Sequence, residues 1–442
     1  MKKIFLFFLI SFNPLLIFGE DSNSASLLAG AGNMKITPDV ETFSDSNKNG
    51  RYDEGEPFND LNHNKKWDPV WLAGNLKGRY AKGVHDDLWA RSLIITLDQE
   101  TILFVSLDLI GYLFDEVSLL KEEINKRWQF PKDHIFIAST HDHSGPDTIG
   151  LWGEGSSGKS PDYTDFLKRQ ILKSVEEALK NQRAAKIYFG KTHFSNPITD
   201  ARPPNVINDL LLSLRAVDEQ GNTIATVVNY ALHAEVMNEE NRLITSDYPG
   251  FLKEEFEKEF GGISLFFAGD VGGMQTPRVF FHTFSKCRSV GRSIAKRVIQ
   301  SLKNKEQSSI SKLSVSSKKI LFPVENPRFL SAIKNGLFGN TGDFLIEKDG
   351  KSFLPSEVAW IQFGKAQFVT IPGELFPELG RLLKKQMNSE YPFLIGLCNN
   401  EIGYIVPTEE WNDRGYEEAM SLGRRTAEII LSEFSELFNF SP

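Results

Sequence analysis

The stretch IFIASTHDHSGP at residues 135–146 joins a short apolar run to two histidines one residue apart. Its first five residues are apolar or small and predict a buried strand, which Gly145-Pro146 ends. In open α/β sheets, ligands bind beyond the carboxyl ends of the strands. The stretch therefore predicts that His141 and His143 can hold a divalent metal, although a His-x-His pair alone does not identify a metal site.

The residues that follow His143, and a further histidine at 233, narrow the kinds of metal site that the sequence can form. A metallo-β-lactamase-type site would continue with Asp-His, but Ser144-Gly145-Pro146 follows. An amidohydrolase barrel also starts from a strand-end His-x-His, so this alternative stays open at this point. His233 follows a second apolar run at 223–230. Because the chain has only 8 histidines, a third one at a strand end favours a single shared metal.

The composition is that of a globular protein. The chain has 442 residues, 40% hydrophobic and 24% charged, enough for one large domain or two ordinary ones. The net charge of −8 and the absence of a long basic run argue against a nucleic-acid partner. Cys287 and Cys398 permit one disulfide but no disulfide scaffold.

The first 19 residues have the pattern of a signal peptide. Lys2 and Lys3 precede an apolar stretch, and Gly19 supplies a small residue for cleavage. No later segment is long and apolar enough to span a bilayer. We therefore expect an exported protein, periplasmic or secreted, with no transmembrane span in the mature chain.

Strand-like and helix-like runs alternate along the chain. Strands are predicted at 92–98 and 101–108 as a hairpin, and near 185–190, 210–217, 223–230, 263–268, 313–322, 358–363, 367–371 and 393–397. Helices are predicted over 115–128, 163–180, 248–260, 284–302, 376–387 and 416–438. This interleaving predicts an α/β fold, a single large domain over 27–442 with a mixed β-sheet core flanked by helices.

Residues 45–68 resemble calcium-binding loops. The first loop fits D-x-[DN]-x-[DN]-G-x5-E, in which alternate positions supply oxygen ligands and Gly50 allows a sharp turn. A second loop repeats the spacing fifteen residues later, without the glycine and the final glutamate. We expect a calcium-stapled insertion, since no helical flanks are evident. Its candidate ligands are Asp45, Asn47, Asn49, Asp53, Glu56, Asp60, Asn62, Asn64 and Asp68.

Residues 153–160 fit the phosphate-binding pattern G-x-x-x-x-G-K-[ST], but their context does not. That loop must leave a buried strand and open directly into a helix. Here the preceding strand ends near Ser139, and Pro161-Asp162 is predicted to separate the motif from the next helix. We therefore interpret the match as chance.

Several stretches together resemble the catalytic domain of neutral (non-lysosomal) ceramidases. They are AGAGNMKITP, GVHDDLWARS, VSLDL, ASTHDHSGP, the 229–247 segment, FFAGDVGGMQTP, IPGELFPELGRLL and YIVPTEE. These stretches run in the order of the family from about Ala29 to the C-terminal helix. In two respects the chain differs from typical members: the calcium-loop insertion, and an end near 438–442 that leads us to expect no C-terminal β-sandwich.

The resemblance implies a zinc site and a set of reacting groups. It assigns the zinc ligands to His141, His233, Glu374 and Tyr404. It implies that His143 faces the zinc-bound water, that Tyr416 contacts the amide carbonyl, and that Arg202 contacts the substrate. Carried over, these roles give zinc-activated water as nucleophile, Arg202 and Tyr416 for the oxyanion, and His143 for protonation of the leaving nitrogen.

The resemblance implies a zinc-dependent hydrolase of linear amide bonds. Its substrate would be ceramide or a related N-acyl lipid, met at a membrane surface or in micelles and cleaved to a fatty acid and an amine. Two alternatives remain: a zinc-dependent peptidase or esterase acting on another acyl compound, and a calcium-dependent envelope binding protein without catalysis. The ligand set alone would also accept manganese or iron.

Overall fold

The computed structural model describes residues 27–155, 157–303 and 305–439. The predicted signal peptide therefore lies outside the described residues. The strands are β1 (Leu27–Lys35), β2 (Gly83–Val84), β3 (Trp89–Leu97), β4 (Glu100–Leu107), β5 (Ile135–Ser139), β6 (Arg183–Ala184), β7 (Lys186–His193), β8 (Ile198–Asp200), β9 (Leu210–Val217), β10 (Thr223–Tyr230), β11 (Leu243–Ile244), β12 (Ile263–Ala268), β13 (Gln275–Pro277), β14 (Leu313–Pro323), β15 (Ile346–Lys348), β16 (Lys351–Phe363), β17 (Ala366–Thr370), β18 (Glu374–Leu375), β19 (Tyr391–Ile395) and β20 (Tyr404–Ile405). The helices are α1 (Phe114–Trp128), α2 (Pro161–Lys180), α3 (Asp247–Phe260), α4 (Phe284–Leu302), α5 (Pro327–Lys334), α6 (Pro377–Gln386), α7 (Tyr416–Ala419) and α8 (Thr426–Asn439).

The predicted mixed β-sheet core consists, in the described residues, of three larger mixed sheets and three two-stranded ones. The first has the order β5-β4-β3-β1-β6 and the second β12-β10-β9-β7. The third has the order β14-β16-β17-β19, with β15 beside β16. Each of the three larger sheets contains a single parallel pair, namely β4 with β5, β10 with β12, and β17 with β19. The α/β class is confirmed, while the division into three sheets rests on long-range pairings that local periodicity does not encode.

The three sheets share one central core. Its buried side chains come from all three, among them Phe104 on β4, Phe267 on β12 and Phe368 on β17. Phe104 contacts both of the other rings, with centroid distances of 6.0 Å to Phe267 and 5.5 Å to Phe368. Burial of such large rings contributes to the free energy that joins the layers.

Helices cover the outer faces of the sheets. Buried apolar side chains join α1 and α2 to the first sheet, α3 and α4 to the second, and α5, α6 and α8 to the third. Capping side chains begin α2 and α4, among others: Ser160 accepts a hydrogen bond from Tyr163 N, and Thr283 accepts one from Lys286 N. The result is a β core surrounded by helices, and the barrel alternative is wrong.

Three details of the sequence prediction are wrong. The closing helix is not continuous over 416–438, because α7 ends at Ala419 and α8 begins at Thr426. The intervening chain pairs instead, with Ser421 bridging to Gly403 and Met420 accepting from Tyr404 N. The helix α5 was not predicted, although Asn326 caps it and Pro327 occupies its first position.

The third detail concerns the phosphate-loop pattern. The next helix follows the motif directly, with Ser160 as N-cap and Pro161 as first residue, so the predicted separation is wrong. The preceding strand still ends at Ser139, as predicted. Lys159 pairs with Glu116 at 3.2 Å, so its ammonium group is already engaged by a carboxylate.

Within the described ranges, none of the helices is both long and apolar enough to cross a bilayer. Cys287 and Cys398 are both buried free thiols. Burial raises the pKa of each thiol above its usual value, so both are inert at neutral pH.

Candidate metal centre

His141 stands just beyond β5, in a backbone conformation that is rare for a residue with a side chain. Its φ is +63°, in the left-handed region, a conformation often found at functional sites. The Nδ1 atom lies 2.9 Å from the carbonyl oxygen of Ile110. Because a carbonyl only accepts, Nδ1 carries the proton and Nε2 is left as a lone pair turned to the centre of the site.

His233 is positioned in the same way beyond β10. Its Nδ1 lies 3.1 Å from the carbonyl oxygen of Gln275, so its Nε2 also faces inward. The backbone N–H of His233 donates to that same carbonyl at 3.0 Å. One carbonyl group therefore fixes both the backbone and the tautomer of this histidine.

Glu374 and Tyr404 come from the third layer. Glu374 follows β17 and belongs to β18, where it is the register partner of Tyr404 on the parallel strand β20. Both side chains are buried, each residue being 6% exposed. The Tyr404 hydroxyl lies 3.4 Å from Met274 Sδ. His141, His233 and Glu374 thus each follow a strand of their own sheet's parallel pair.

The inward-facing atoms converge on one point. Glu374 Oε2 lies 3.3 Å from His141 Nε2 and 3.2 Å from His233 Nε2. Ligands about 2.0 Å from a tetrahedral zinc ion are about 3.3 Å from one another. The donor nitrogens of His141, His143 and His233 all lie within 4.8 Å of each other. The separations therefore match those of a divalent metal site.

The hydrogen-bond pattern supports the same conclusion. His141 Nε2 is buried and has no hydrogen-bond partner in the described part of the chain. Two nitrogen lone pairs facing a carboxylate repel it unless a cation lies between them. Without a metal, that cation is a proton: burial alone would lower the pKa of His141, but Glu374 raises it. Burial would raise the pKa of Glu374, but the imidazoles of His141 and His233 lower it strongly.

His143 completes the group of three rings but has different neighbours. Its ring centroid lies 4.8 Å from that of His141 and 5.6 Å from that of His233. Its Nδ1 lies 3.4 Å from Glu235 Oε2, and neither ring nitrogen makes a hydrogen bond within the described residues. Burial, followed by repulsion from His141 and His233, holds its pKa well below 6.5. This imidazole is therefore neutral at pH 7 and able to accept a proton.

Tyr416 lies at the mouth of the site. It is 62% exposed, and its ring centroid lies 6.0 Å from that of Tyr404. Burial of the hydroxyl, with Glu374 nearby, raises the pKa of Tyr416, so the phenol keeps its proton and can donate a hydrogen bond.

The structure does not bring Arg202 to the other predicted residues. Its guanidinium pairs with Glu417 at 3.0 Å and with Glu418 at 2.7 Å, the two residues that follow Tyr416. It also donates to the carbonyl of Glu410 at 2.9 Å and stacks over Phe376. These contacts engage both terminal nitrogens of the guanidinium, so Arg202 holds the segment that carries Tyr416.

A largely apolar cavity opens beside the histidines. Its volume is about 100 Å³, within about 820 Å³ of space that includes the open mouth, and His141, His143, Glu374, Tyr404 and Tyr416 line one part of it. Apolar side chains line most of the remainder: Ile110, Leu113, Ile149, Leu151, Trp152, Phe329, Ile333, Phe338, Leu354, Ile402, Met420 and Leu422. Such a lining suits an apolar group better than a polar peptide.

Sequence reasoning missed two acidic residues here. Glu235 lies against His143, and the only signal was its position two residues after His233. Glu401 lines the cavity, and its Oε2 is buried without a hydrogen-bond partner among the described residues. Burial, with Glu374 close by, raises the pKa of Glu401 well above its usual value, which favours the uncharged carboxyl group.

The two loops of the 45–68 insertion have the same internal bonding. In the first, the Glu56 carboxylate accepts from Ser46 N at 2.7 Å and from Asp53 N at 3.1 Å. Asp45 accepts from Asn49 N and Gly50 N, which closes the turn around the side-chain oxygens. Asn47 and Asn49 both donate to Asp53, at 2.6 and 2.7 Å, so these candidate ligands lie against one another.

The second loop obtains its glutamate from elsewhere. Glu41 accepts from Leu61 N at 2.8 Å and from Asp68 N at 2.9 Å. Leu61 and Asp68 occupy the same loop positions as Ser46 and Asp53, so Glu41 takes the place of the glutamate that the second loop lacks. Sequence reasoning could not find Glu41, because it precedes the loop instead of following it.

Comparisons with known proteins agree with this geometry. The sequence model of the family "Neutral/alkaline non-lysosomal ceramidase, N-terminal" matches residues 75–288. A neutral ceramidase of Drosophila pseudoobscura pseudoobscura is 26% identical over 212 residues, which cover 42% of this chain and 29% of that protein. A neutral ceramidase of Pseudomonas aeruginosa is 23% identical over 247 residues, which cover 48% of this chain and 37% of that protein. The matches thus span about a third of the relatives' own length.

Solved structures share the fold over a longer range. The crystal structure of neutral ceramidase from Pseudomonas aeruginosa has a TM-score of 0.70 and 14% identity, and the match covers 94% of this chain and 74% of that one. A structure described as ceramidase complexed with C2 has a TM-score of 0.71 and 15% identity, with the same coverage. At such identities the likeness establishes the fold alone.

Proposed function

Because the chain belongs to the neutral/alkaline non-lysosomal ceramidase family, we propose that it is an exported, zinc-dependent amidohydrolase. It cleaves the N-acyl amide bond of ceramide or a related N-acyl lipid to a fatty acid and an amine. The observation that carries this proposal is the convergence of His141, His233 and Glu374 beside an apolar cavity. A hydrolytic centre at the end of a hydrocarbon-lined space suits an acyl amide.

The chain's own residues divide the work of hydrolysis. His141, His233, Glu374 and Tyr404 would hold the ion. When bound, zinc polarises a carbonyl and makes water a stronger nucleophile at neutral pH. His143, neutral because of its low pKa, accepts a proton from the attacking water and then returns it to the leaving nitrogen.

Two further groups complete the proposed roles. Tyr416, which keeps its phenolic proton, donates to the developing oxyanion from the mouth of the cavity. Arg202 acts through Glu417 and Glu418, holding the turn from which Tyr416 projects. Arg202 is therefore a positioning residue in this proposal.

The proposal is tested by metal analysis together with release of fatty acid from a labelled N-acyl sphingosine. We expect one zinc per chain, loss of activity on chelation, and recovery when zinc is restored. His141→Ala should lose metal and activity. His193→Ala is the matched control, because His193 is exposed and its ring pairs with Asp209 at the surface. Full activity of the His141→Ala variant would refute the mechanism.

The two alternatives give different results in the same experiments. Zinc binding without ceramide hydrolysis, but with turnover of peptides or esters, would favour a peptidase or esterase. A protein that binds calcium but no zinc would favour the envelope binding protein. The apolar lining of the cavity argues for the lipid amide over a peptide.

For the insertion, we propose that both loops bind Ca²⁺, with Glu41 serving the second. Carboxylate and amide oxygens are the ligands that Ca²⁺ prefers, and the bonding of Glu41 repeats that of Glu56. Calcium at these positions stabilises an insertion that has no helix of its own. Export, as the first 19 residues predict, supplies calcium at the concentrations that weak sites need.

A further inference from the structure

Four large apolar side chains are more exposed than any others in the described part of the chain. Phe280 is 91% exposed, Phe281 76%, Leu76 64% and Tyr416 62%, whereas the next is 51% exposed. A single exposed apolar residue is ordinary. Two adjacent phenylalanines in water are not, and such groups mark surfaces that meet a partner or a lipid phase.

The two phenylalanines belong to a loop whose ends are both fixed beside the metal centre. The loop leaves from Gln275, whose carbonyl oxygen contacts Nδ1 of His233. It returns at His282, whose Nδ1 lies 2.8 Å from the carbonyl oxygen of Val236, three residues after His233. The exposed rings therefore project from the edge of the molecule at which the histidines lie.

Leu76 and Tyr416 lie at the same edge. Gly74 packs against His143 so closely that a Cβ at this position would be 2.5 Å from the imidazole, and Asn75 lines the cavity. Leu76 follows directly. Tyr416 itself lines the cavity and is still exposed. All four exposed side chains thus belong to segments that adjoin the metal centre or its cavity.

Exposed cations accompany these apolar groups. Lys77 is next to Leu76, Arg278 is two residues before Phe280, and Arg414 is two residues before Tyr416. None of these three cations takes part in an ion pair with another described residue. On a chain with a net charge of −8, three such cations beside the exposed apolar groups favour an anionic surface as partner.

We propose that this face, defined by Leu76, Lys77, Arg278, Phe280, Phe281, Arg414 and Tyr416 and called the docking face, binds the surface of an anionic phospholipid bilayer. The aromatic rings enter the boundary between headgroups and acyl chains, and the cations meet the lipid phosphates. The cavity then opens toward the hydrocarbon, so an N-acyl lipid passes from the bilayer to the histidines without crossing water. Membrane docking rests on the proposed amidohydrolase function only for the identity of the substrate.

Sedimentation with vesicles tests the docking face without any need for catalysis. The full chain is mixed with vesicles of phosphatidylcholine alone or with a quarter of phosphatidylglycerol. We expect binding to the anionic vesicles that weakens with added salt. The double variant Phe280→Ala/Phe281→Ala should bind at least about tenfold more weakly, because two rings no longer leave water.

Matched variants separate docking from folding. Leu119→Ala/Leu382→Ala removes two exposed apolar side chains elsewhere and should bind as the wild type does. Phe280→Trp/Phe281→Trp should retain binding, since Trp suits the membrane interface. Equal binding by the Phe280→Ala/Phe281→Ala variant and the wild type would overturn the proposal. So would absence of wild-type binding to either vesicle, which would point to a protein as the occupant.

A water-soluble, short-chain N-acyl amine separates this proposal from the proposed function. The Phe280→Ala/Phe281→Ala variant should hydrolyse it at the wild-type rate, yet lose at least about tenfold on the same amide embedded in vesicles. Hydrolysis of the soluble amide by a wild type that binds no vesicles overturns docking alone. Vesicle binding that depends on Phe280 and Phe281, without hydrolysis of either substrate, supports docking and refutes the amidohydrolase.

Discussion

Removing one carboxylate that lies outside both calcium loops should remove one of two calcium sites. In Glu41→Gln, a single carbonyl oxygen replaces the two oxygens that accept from Leu61 N and Asp68 N. Without calcium, losing one such hydrogen bond costs about 0.5–1.5 kcal/mol of unfolding free energy. With calcium, the second loop should also lose its metal, because Ca²⁺ requires the oxygens and charge of that carboxylate.

The size of the calcium effect follows from binding linkage. Extracellular calcium modules have dissociation constants of about 10⁻⁴–10⁻³ M. At about 10 mM calcium, each site therefore adds roughly 1.4–2.7 kcal/mol to the unfolding free energy. The loops unfold with the domain, since the Tyr80 hydroxyl donates to Gly50 O at 2.8 Å and Phe43, Tyr52 and Trp67 pack together. The wild type should gain about twice that increment, and the Glu41→Gln variant about half of what the wild type gains.

Urea unfolding in chelator and in calcium measures these increments. Glu56→Gln is the matched control, because Glu56 makes the same pair of contacts in the first loop. The two single variants should each lose one increment, and the double variant should lose both. If Glu41→Gln keeps the whole wild-type increment while Glu56→Gln loses half, the equivalence of the two glutamates is refuted. If the wild type itself gains nothing from calcium, neither loop is a site.

Three other predictions concern the interior. Glu374→Gln should lower the zinc content at equal protein concentration by at least about tenfold, because the carboxylate that faces two imidazoles loses its charge. An unchanged zinc content by elemental analysis would contradict the assigned ligand set. Burial raises the pKa of Asp247 from 3.8 to about 6, so its contribution to stability is complete below pH 3.8 and is lost as the pH rises through 6. The Asp247→Asn variant lacks this loss, and its unfolding free energy relative to the wild type should rise by about 3 kcal/mol from pH 3.5 to pH 7; a flat difference in urea unfolding would exclude the effect. Lys253 and Asp108 form an ion pair in which both side chains are 1% exposed. Lys253→Met leaves the charge of Asp108 unpaired and should lower the unfolding free energy by about 3–5 kcal/mol, part of which Lys253→Met/Asp108→Asn should restore. An equal loss of unfolding free energy in both variants would show that the ion pair is not the cause.

Local sequence patterns predicted most elements but not their assembly. The apolar run of β5, the amphipathic α2 and the hairpin of β3 and β4 are each encoded within about twenty residues, and each was predicted close to its observed bounds. The three sheets depend on pairings such as that of β17 with β19, which no local pattern specifies. The predicted closing helix was wrong because it ran through residues 420–425, MSLGRR, where Gly423 interrupts the helical pattern and the chain pairs with Gly403 and Tyr404 instead.

The candidate site shows the same division. His141 and His233 were recognisable as strand-end histidines, and Glu374 and Tyr404 were identified through the family resemblance. The partners of Arg202 lie more than 200 residues away along the chain, so its engagement by Glu417 and Glu418 could not be read from the sequence. Glu401 gave no signal in the sequence either, because the burial of its unpaired carboxyl oxygen depends on the folded cavity.

The convergence of side chains from three separate sheets makes the centre sensitive to the integrity of the whole domain. No two layers supply all of these side chains. A fragment that ends before Glu374 retains the imidazoles of His141, His143 and His233 but loses the carboxylate. Slight separation of any one layer would spread the donors beyond a common bonding distance. Ion release should therefore precede loss of helical signal during gradual denaturation, and a colorimetric chelator would register the first loosening of the domain.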